Sequence, residues 1–316
     1  MTMRLLWTLV LVAFAAAGCQ EIDWEEYSEV TKLRILAIRA EPPEIGPGEV
    51  AEIDALVTNP QGDPVTLAWE LCFLTDGPDA EYACLLDPES GETLGVPLGT
   101  GDSVSVAYDL VDAFAGDLEA ICDEILQADV PEFVSLPDCT RGLEVTIRLT
   151  ATSGGDREVA VKRLVLLLED EAARDDVNVN PTLGGLIVDG QSAASGPVSV
   201  DVIIEDPVRL QALVNADEAQ TYEAPDPDDD TARLDAEGEV LSIAWFATHG
   251  RFDRETTFYQ VDVVEAAELQ ANSLNLRKGG LPAVAGDEVT IWAVLRDDRG
   301  GVDFASWTVI VDSVEE

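Results

Sequence analysis

The segment GLEVTIRLTATSGGDREVAVKRLVLLLE, residues 142–169, decides the fold class of this chain. Apolar and polar residues alternate strictly in its first half, since single polar residues separate Val145, Ile147 and Leu149. A period of two predicts a strand with one buried and one wet face, as in an antiparallel sheet. Gly154-Gly155 then predicts a turn into a second apolar strand, residues 158–169. The segment therefore predicts a long β-hairpin.

Strand patterns with turn residues between them continue on both sides of this hairpin. Upstream they cover residues 31–40, 49–58 and 65–74, and the last of these contains Trp69. Downstream they cover residues 185–188, 198–205, 209–214, 240–248, 272–277, 289–296 and 302–311. A short helix is expected around residues 262–271. The chain is thus predicted to be mainly β.

The stretch between residues 75 and 140 lacks the strand pattern and is interpreted as an insertion. Apolar residues recur at helical spacing within residues 109–128, which predicts an amphipathic helix there. Its apolar face contains Leu110, Phe114, Leu118, Ile121, Cys122, Ile125 and Leu126. The expected role of the insertion is to cover a sheet edge or the core, and a binding role is the alternative.

A degenerate internal repeat predicts two copies of one fold. The motif G-x-E-V-T-I occurs at residues 142–147 and again at 286–291, each time followed by a glycine pair and an apolar strand. Upstream, Leu67-Ala68-Trp69 corresponds to Ile243-Ala244-Trp245. Because the order of the matched segments is preserved, we expect tandem domains at residues 31–170 and 183–316, joined by a charged linker at 171–182.

The first residues, MTMRLLWTLVLVAFAAAGC, have the layout of a secretory leader. Arg4 precedes an apolar run from Leu5 to Ala17, which is too short for a membrane-spanning helix of about 20 residues. Because small residues end on Cys19, the segment resembles the lipobox of bacterial lipoproteins, although Ala16 replaces the usual leucine. The resemblance implies that residues 1–18 are removed, that Cys19 is lipidated and that residues 19–30 form a short tether. The alternative is an ordinary leader that leaves Cys19 as a thiol.

Four cysteines remain, and export to an oxidising compartment favours two disulfides. Three connectivities are possible. The sequential pairs Cys72–Cys84 and Cys122–Cys139 are preferred because each closes a short loop of about 12 to 17 residues. A zinc site is disfavoured because close cysteine pairs are absent from the sequence and the single histidine lies far downstream.

The predicted strand pattern and the tryptophan in each copy resemble immunoglobulin-like (Ig-like) sandwiches. The motif Trp245-Phe-Ala-Thr-His-Gly-Arg-Phe252 is similar to a strand–turn–strand segment of PKD-like and cadherin-like modules of bacterial surface proteins. In those modules a glycine makes a tight corner after a buried tryptophan. The resemblance implies two antiparallel Ig-like sandwiches, the first carrying a disulfide-stapled helical insertion. Fold alone implies no activity.

The charge is strongly acidic: 63 Asp and Glu residues against 18 Lys and Arg residues, a net charge of −45. The electrostatic field of so acidic a chain repels nucleic acid and anionic lipid headgroups. It favours cationic partners or divalent cations. The alternative is that the charge serves solubility or adaptation to a salty medium.

The sequence offers little for catalysis. His249, the only histidine, precedes Gly250 in a predicted turn and is expected to be an exposed surface residue. A nucleophile elbow, a phosphate loop and a dinucleotide fingerprint are all absent from the sequence. We therefore expect no enzyme activity and no resident cofactor.

One acidic segment has the spacing of a calcium loop. Asp226, Asp228, Asp230 and Glu237 occupy positions 1, 3, 5 and 12 of an EF-hand pattern. Thr231 stands where the pattern needs glycine, and flanking helices are not evident. The segment is a candidate calcium site, and a solvated acidic loop is the alternative.

The whole chain resembles bacterial lipoproteins that carry Ig-like modules, a group with no shared activity to transfer. The resemblance implies a lipid-anchored envelope protein that is structural or binds a partner. Gln20, rather than aspartate, after Cys19 implies the outer membrane. The alternatives are an accessory subunit of an envelope assembly and a carboxylate-dependent glycan hydrolase.

Overall fold

The computed structural model describes residues 27–85, 93, 95–109, 118, 120–122, 141–203, 206–215, 219–223, 225–226, 229–233, 237–260, 263–280 and 282–315. The predicted leader, Cys19 and Cys139 lie outside these residues. Strands of the first half are β1 Arg34–Glu41, β2 Glu44–Ile45, β3 Val50–Thr58, β4 Thr66–Cys72, β5 Gly95–Thr100, β6 Ser103–Ala107, β7 Gly142–Ser153 and β8 Asp156–Leu167.

The second half begins after a short helix, α1 Glu169–Ala172, and contains one more, α2 Ala266–Gln270. Single 3₁₀ turns occur at Pro78–Ala80 and Ala193–Ser195. The strands are β9 Leu183–Val188, β10 Gln191–Ser192, β11 Val198–Val202, β12 Val208–Val214, β13 Thr221–Tyr222, β14 Pro225–Asp226, β15 Asp229–Arg233, β16 Glu237–Gly238, β17 Val240–Ala247, β18 Arg251–Phe252, β19 Thr256–Gln260, β20 Ala271–Asn275, β21 Glu288–Arg296 and β22 Val302–Val314.

Two sheets of the first half face each other across one apolar core. One sheet has the order β1-β3-β6 and the other β2-β8-β7-β4-β5. Trp69, Ile147 and Leu149 lie in this core, and the Trp69 indole Nε1 donates to Gly101 O at 2.8 Å. The predicted hairpin of residues 142–169 is confirmed, because β7 and β8 pair from Gly142↔Leu167 to Ser153↔Asp156.

The second half repeats this construction. Its sheets have the orders β10-β9-β12-β20-β18 and β11-β22-β21-β17-β19. The core between them contains Trp245, whose Nε1 donates to Thr257 Oγ1 at 3.1 Å.

The G-x-E-V-T-I copies supply the equivalent strands β7 and β21, and Ile147 and Ile291 are both fully buried. In each half a short strand also pairs in parallel with the last strand, β2 with β8 and β11 with β22. The fold is therefore mainly β and Ig-like, as the sequence predicts, with mainly antiparallel sheets that pack in pairs on apolar cores.

The insertion differs from the prediction. Within residues 75–140, strands β5 and β6 belong to the sandwich, since β5 pairs with β4 and β6 with β3. The expected helix is observed at residues 108–109, 118 and 120–122. Leu118 and Cys122, one helical turn apart, are both buried in the first core. In the second half, strands β18 and β19 and the short helix α2 also form, and the helix is shorter than its expected range.

A third apolar cluster joins the sandwiches along their sides. Leu36 and Ala37 of β1 pack on the outer face of the second sandwich, against Phe246, Trp292 and Val294. Trp292 and Phe246 are 6% and 1% exposed, so the contact removes large aromatic side chains from water. The two sandwiches therefore lie side by side.

The segment before β1 crosses to the second sandwich. Ala247 N donates to Ser28 O at 2.9 Å and Val30 N donates to Ala247 O at 2.8 Å, so residues 28–30 add to the end of β17. Ser28, Glu29 and Val30 are buried. Residues 28–30, which the sequence analysis placed in a tether, are therefore part of the folded body. Within the described residues, no helix combines the length and apolar character needed to cross a membrane.

Candidate functional site

The junction between the sandwiches contains a buried charge network at the end where the linker connects them. Arg299, in the turn between β21 and β22, lies between two carboxylates from different sandwiches. Its Nη2 is 3.4 Å from Glu44 Oε2, and its Nη1 is 3.2 Å from Glu239 Oε1. The three side chains are 6%, 4% and 2% exposed. Arg299 Nη2 also donates to Asp176 O at 2.7 Å, and the guanidinium lies over the Tyr222 ring.

Glu44 is the centre of this network. Arg141 Nη1 lies 3.0 Å from Glu44 Oε1, and Asn178 N donates to Glu44 Oε2 at 2.8 Å. Arg141 also contacts the buried Glu171 of α1 at 3.4 Å. The Glu44 carboxylate thus has partners from the first sandwich, the linker and the second sandwich. Buried charges with several partners each favour one arrangement of the elements that carry them.

Glu239 and Asp297 have pKa values raised by burial. Burial raises the pKa of Glu239 despite the hydrogen bond that Gln220 N donates to it and the neighbouring Arg299. Burial also raises the pKa of Asp297, although Gly301 N and Arg299 N donate to its Oδ1 at 2.6 Å and 2.9 Å. Asp297 Oδ2 is buried and has no hydrogen-bond partner within the described part of the chain.

Lys162 of β8 faces the same turn from the first sandwich. Its Nζ donates to Gly300 O. Burial lowers the pKa of Lys162 to about 8, although nearby Asp297 opposes the shift. Lys162, Arg296 and Asp297 line a cavity of about 280 Å³ between β1, β8 and the β21–β22 turn. These charges all contact other parts of the same chain.

A second set of polar contacts joins the two sandwiches at the middle of the junction. Arg39 of β1 binds Asp54 Oδ2 at 2.8 Å on its own sandwich and Asp303 Oδ1 at 2.8 Å on the other. Asp303 Oδ2 accepts from Leu183 N at 2.8 Å, where the linker enters β9. Asn180 of the linker donates to Ala40 O at 2.7 Å and accepts from Val302 N at 2.7 Å. The predicted linker is therefore hydrogen-bonded to both sandwiches.

Sequence reasoning did not identify the junction residues. Glu44, Glu239 and Asp297 cannot be distinguished by sequence from the other 60 acidic residues (63 − 3). The available signal was the segment RDDRGG, residues 296–301, which places two arginines and two aspartates at the end of an apolar strand. Only the packing of the sheets shows which of these charges are buried.

The cysteine prediction is confirmed for one pair. Cys72 and Cys84 form a disulfide across 12 residues. Their sulfurs and a Glu70 carboxylate oxygen lie within 4.8 Å of one another, but the sulfurs are bonded to each other, so they are not thiolate ligands for a metal. Cys122 is disulfide-bonded, and its expected partner Cys139 lies outside the described residues.

Three of the candidate calcium residues, Asp226, Asp230 and Glu237, lie in short paired strands. Asp226 ends β14 and pairs with Asp229 of β15, which also contains Asp230. Glu237 pairs with Tyr222 in the β13–β16 ladder. Asp228 lies outside the described residues, as do the side chains of Asp226, Asp230 and Glu237. Calcium binding therefore stays a prediction.

His249 was expected to be exposed, and this expectation is wrong. The residue is half-buried, and its Nδ1 is buried without a hydrogen-bond partner in the described part of the chain. The reason is the corner between β17 and β18, where Gly250 is buried with a φ of +92° and residues 28–30 bond to Ala247, two residues before His249. The predicted tight glycine corner after the buried Trp245 is confirmed.

The larger cavities are open grooves on the second sandwich. One of about 700 Å³ lies over β12 and β20, and its polar lining includes Asp206, Arg209, Asp253, Arg254 and Asn272. Its lining contains neither a histidine nor a cysteine, and its only hydroxyl side chain is that of Ser273. The Ser273 hydroxyl donates to Asp253 Oδ2 at 2.9 Å. A serine nucleophile also needs a general base, commonly an amine or an imidazole, which this lining does not contain.

No model of a protein family and no curated protein matches the chain. Among solved structures, some chains of several domains match weakly. A chimeric titin Z1Z2–Z1Z2 tandem has 11% identity and a TM-score of 0.22, with 89% of this chain and 100% of that chain covered. Three N-terminal domains of the Hoc outer capsid protein of bacteriophage RB49 have 9% identity and a TM-score of 0.21, with 90% and 71% covered. These values carry no functional information. The sheet orders and the junction define a mainly β protein of Ig-like fold class, in which two pairs of sheets lie side by side.

Proposed function

We propose that this chain is a lipid-anchored protein of the bacterial cell envelope, on the outer membrane, and that it presents a rigid pair of Ig-like sandwiches to a protein partner. The leader and the small residues before Cys19 support the anchor. Lipidation with several acyl chains, at about 0.8 kcal/mol per buried methylene, holds such a protein firmly in a bilayer.

The observation that carries the proposed scaffold role is the buried junction. Glu44, Arg299 and Glu239 are nearly inaccessible to solvent, and they contact one another rather than a cavity. The linker is bonded to both sandwiches through Asn178 and Asn180. A pair of sandwiches joined in this way keeps its two surfaces in a constant relative orientation. Such a scaffold can hold a partner in place or keep a fixed distance between two binding surfaces. A catalytic role is not part of this proposal.

Charge indicates the chemistry of the partner. With a net charge of −45, the chain repels nucleic acid and attracts basic protein surfaces. Association with such a partner would be fast at low salt and would weaken as ionic strength rises.

Intact mass spectrometry of protein purified from native membranes tests the anchor. We expect a chain that begins at Cys19 with added acyl mass. An uncleaved leader, or an unmodified Cys19, would contradict the proposal.

Pulldown from native envelopes tests the partner role. We expect co-purifying proteins that are released by added salt. Recovery of the chain alone, from both low-salt and cross-linked membranes, would count against a partner-binding role.

The helix of the insertion favours a second candidate, an accessory subunit of an envelope assembly. Leu118 and Cys122 of this helix are buried, whereas Ala120 is exposed and could contact another subunit. Deleting the whole insertion is not a usable test because β5 and β6 would be lost. Ala120→Arg should instead abolish co-purification if the helix docks, whereas the matched exposed substitution Gln191→Arg on the second sandwich should not. Equal recovery of partners with both variants would exclude docking through this helix.

A further inference from the structure

The residues that follow the proposed anchor are bound to the second sandwich, although the first sandwich follows them in the chain. Besides the two backbone hydrogen bonds to Ala247, the Glu29 carboxylate accepts from Gly280 N at 2.8 Å. The Tyr27 ring lies 5.6 Å from the Phe246 ring, and Arg34 Nη1 donates to Tyr27 O at 2.6 Å. Residue 27 is therefore fixed beside β17.

The length of chain before this point limits where the anchor can be. From Cys19 to Tyr27 there are eight peptide steps (27 − 19). At roughly 3.3–3.6 Å per residue, a fully extended chain of that length spans at most about 29 Å. A lipidated Cys19 must therefore enter the bilayer within about 29 Å of Tyr27.

The second sandwich has two distinct ends along its strands. We name the residues 248–251, 276–280 and 282–287 the corner end, because they surround the Gly250 corner. Residues 169–182 and 297–301 are named the linker end. Strand β21 runs from Glu288 at the corner end to Arg296 at the linker end, and nine residues of strand span about 30 Å.

Several contacts place the docked segment at the corner end. Residues 28–30 pack on Ala247, the last residue of β17, and Glu29 binds Gly280 in the following turn. Ala283 N donates to Leu276 O at 2.7 Å, which closes the loop that contains Gly280. Tyr27 thus lies closer to the corner end than to the linker end, and residues 28–30 run parallel to β17, toward the corner end.

We propose that the corner end of the second sandwich is the surface that faces the phospholipid headgroups. This inference rests on the proposed lipidation of Cys19. The chain order alone would place the first sandwich next to the membrane and the second beyond it. The docking of residues 28–30 instead keeps this part of the second sandwich within about 29 Å of the anchor.

The surface chemistry of the corner end fits a headgroup layer. Tyr27 and Val284 are 58% and 60% exposed there and can enter the interface between headgroups and water. Two of the three lysines of the chain, Lys32 and Lys278, are exposed near the docked segment, whereas Lys162 is buried at the junction. Amines there reduce the repulsion that this acidic chain experiences at an anionic membrane surface.

The linker end then points away from the membrane. The acidic hairpins of β13–β16 are attached there, because Gln220 Nε2 donates to Val177 O and Glu223 contacts Arg174. The helix of the insertion also begins there, where the Tyr108 hydroxyl donates to Leu167 O at 3.0 Å. The candidate calcium segment and the start of this helix are therefore presented to the space beyond the membrane.

A pair of single-cysteine labels on the same sandwich tests this orientation. Lys278→Cys marks the corner end and Asp298→Cys marks the linker end, and both positions are exposed. Each lipidated variant carries a thiol-linked fluorophore and is reconstituted into phosphatidylcholine vesicles with a headgroup-attached nitroxide quencher. The unsubstituted protein measures background labelling. We expect several-fold stronger quenching at position 278 than at position 298, and equal or reversed quenching would overturn the inference.

A second arm separates this inference from the proposed function. The same two variants carry a hexahistidine tag in place of Cys19 and are bound to vesicles through a nickel-chelating lipid. If native protein carries no acyl mass and does not float with vesicles, the proposed anchor fails, but the tagged variants still report which end lies near the tether. Stronger quenching at position 278 in the tagged arm supports the orientation, and stronger quenching at position 298 rejects it.

Discussion

Arg299 of the second sandwich and Glu44 of the first form a buried ion pair, with 3.4 Å between Nη2 and Oε2 and side chains that are 6% and 4% exposed. Both residues have further partners, which is the arrangement that a desolvated charge needs in order to stabilise a fold. The pair therefore couples the stability of the two sandwiches.

Arg299→Leu should destabilise the protein strongly. The change leaves the buried carboxylates Glu44 and Glu239 without their shared cation, and breaking a buried pair costs about 3–5 kcal/mol. Urea unfolding measures the free energy of unfolding. Arg254→Leu is the matched control because its ion pair with Glu268 is exposed at the surface, where such pairs contribute about 0–1 kcal/mol. Equal losses for the two variants would contradict a structural role for the junction network.

Lys162 should make stability depend on pH in the alkaline range. Its folded pKa of about 8 lies below the ordinary value of 10.5, so between these pH values the unfolded chain binds more protons than the folded one. The free energy of unfolding should therefore rise as pH increases from 8 to 10.5, and the penalty for burying the charged amine is fully present below pH 8. This rise in the free energy of unfolding is on the order of 3 kcal/mol, since each pKa unit corresponds to about 1.4 kcal/mol.

Comparison with Lys162→Met isolates this effect. The free energy of unfolding by urea is measured at each pH for the unsubstituted protein and for the variant. The difference between the two should rise between pH 8 and 10.5. The same comparison with the exposed Lys278→Met should show no such rise. A flat difference between pH 7.5 and 10.5 would show that the Lys162 amine is not desolvated.

Gly250→Ala should be far more damaging than Gly48→Ala. Both glycines have positive φ, +92° and +79°, so alanine is strained at either position. A Cβ at position 250 would also lie 2.8 Å from Asn275 O, whereas at position 48 it meets nothing within 4 Å. We expect a loss of about 1–2 kcal/mol for Gly48→Ala and a clearly larger loss for Gly250→Ala in thermal or urea unfolding. Similar losses would show that the corner is looser than its contacts indicate.

Calcium should raise the melting temperature if the acidic hairpins bind it. A site that binds only the folded state stabilises by about 2.7 kcal/mol at a concentration 100-fold above its Kd. Scanning calorimetry in millimolar calcium and in excess chelator measures the effect, with matched ionic strength and magnesium as controls. Asp226→Asn combined with Asp230→Asn should remove the difference. No difference in the unsubstituted protein would exclude a structural calcium site.

The strands that the sequence predicts well are those with one wet face. Val145, Ile147 and Leu149 alternate with polar residues because β7 is buried only on one side. The sequence alone therefore predicts which face of this strand is buried. Strand β5, GVPLGT, was missed because glycine and proline are turn residues in most contexts and here occur on the outermost strand of its sheet.

The candidate site was much less accessible to sequence reasoning. Glu44 has the same local signature as an exposed glutamate, and its burial depends on Arg299, which lies 255 residues away. His249 illustrates the same limit, since residues 28–30, which bond to Ala247 next to its corner, come from the start of the chain. Long-range packing sets both environments, and residue patterns within one segment do not encode it.

The bond between Glu29 and Gly280 also makes the docking of the amino-terminal segment depend on a distant part of the chain. Its two partners are 251 residues apart, so this contact cannot form before residue 280 has been synthesised. Docking of that segment onto β17 therefore requires the second sandwich to be present as well as the first.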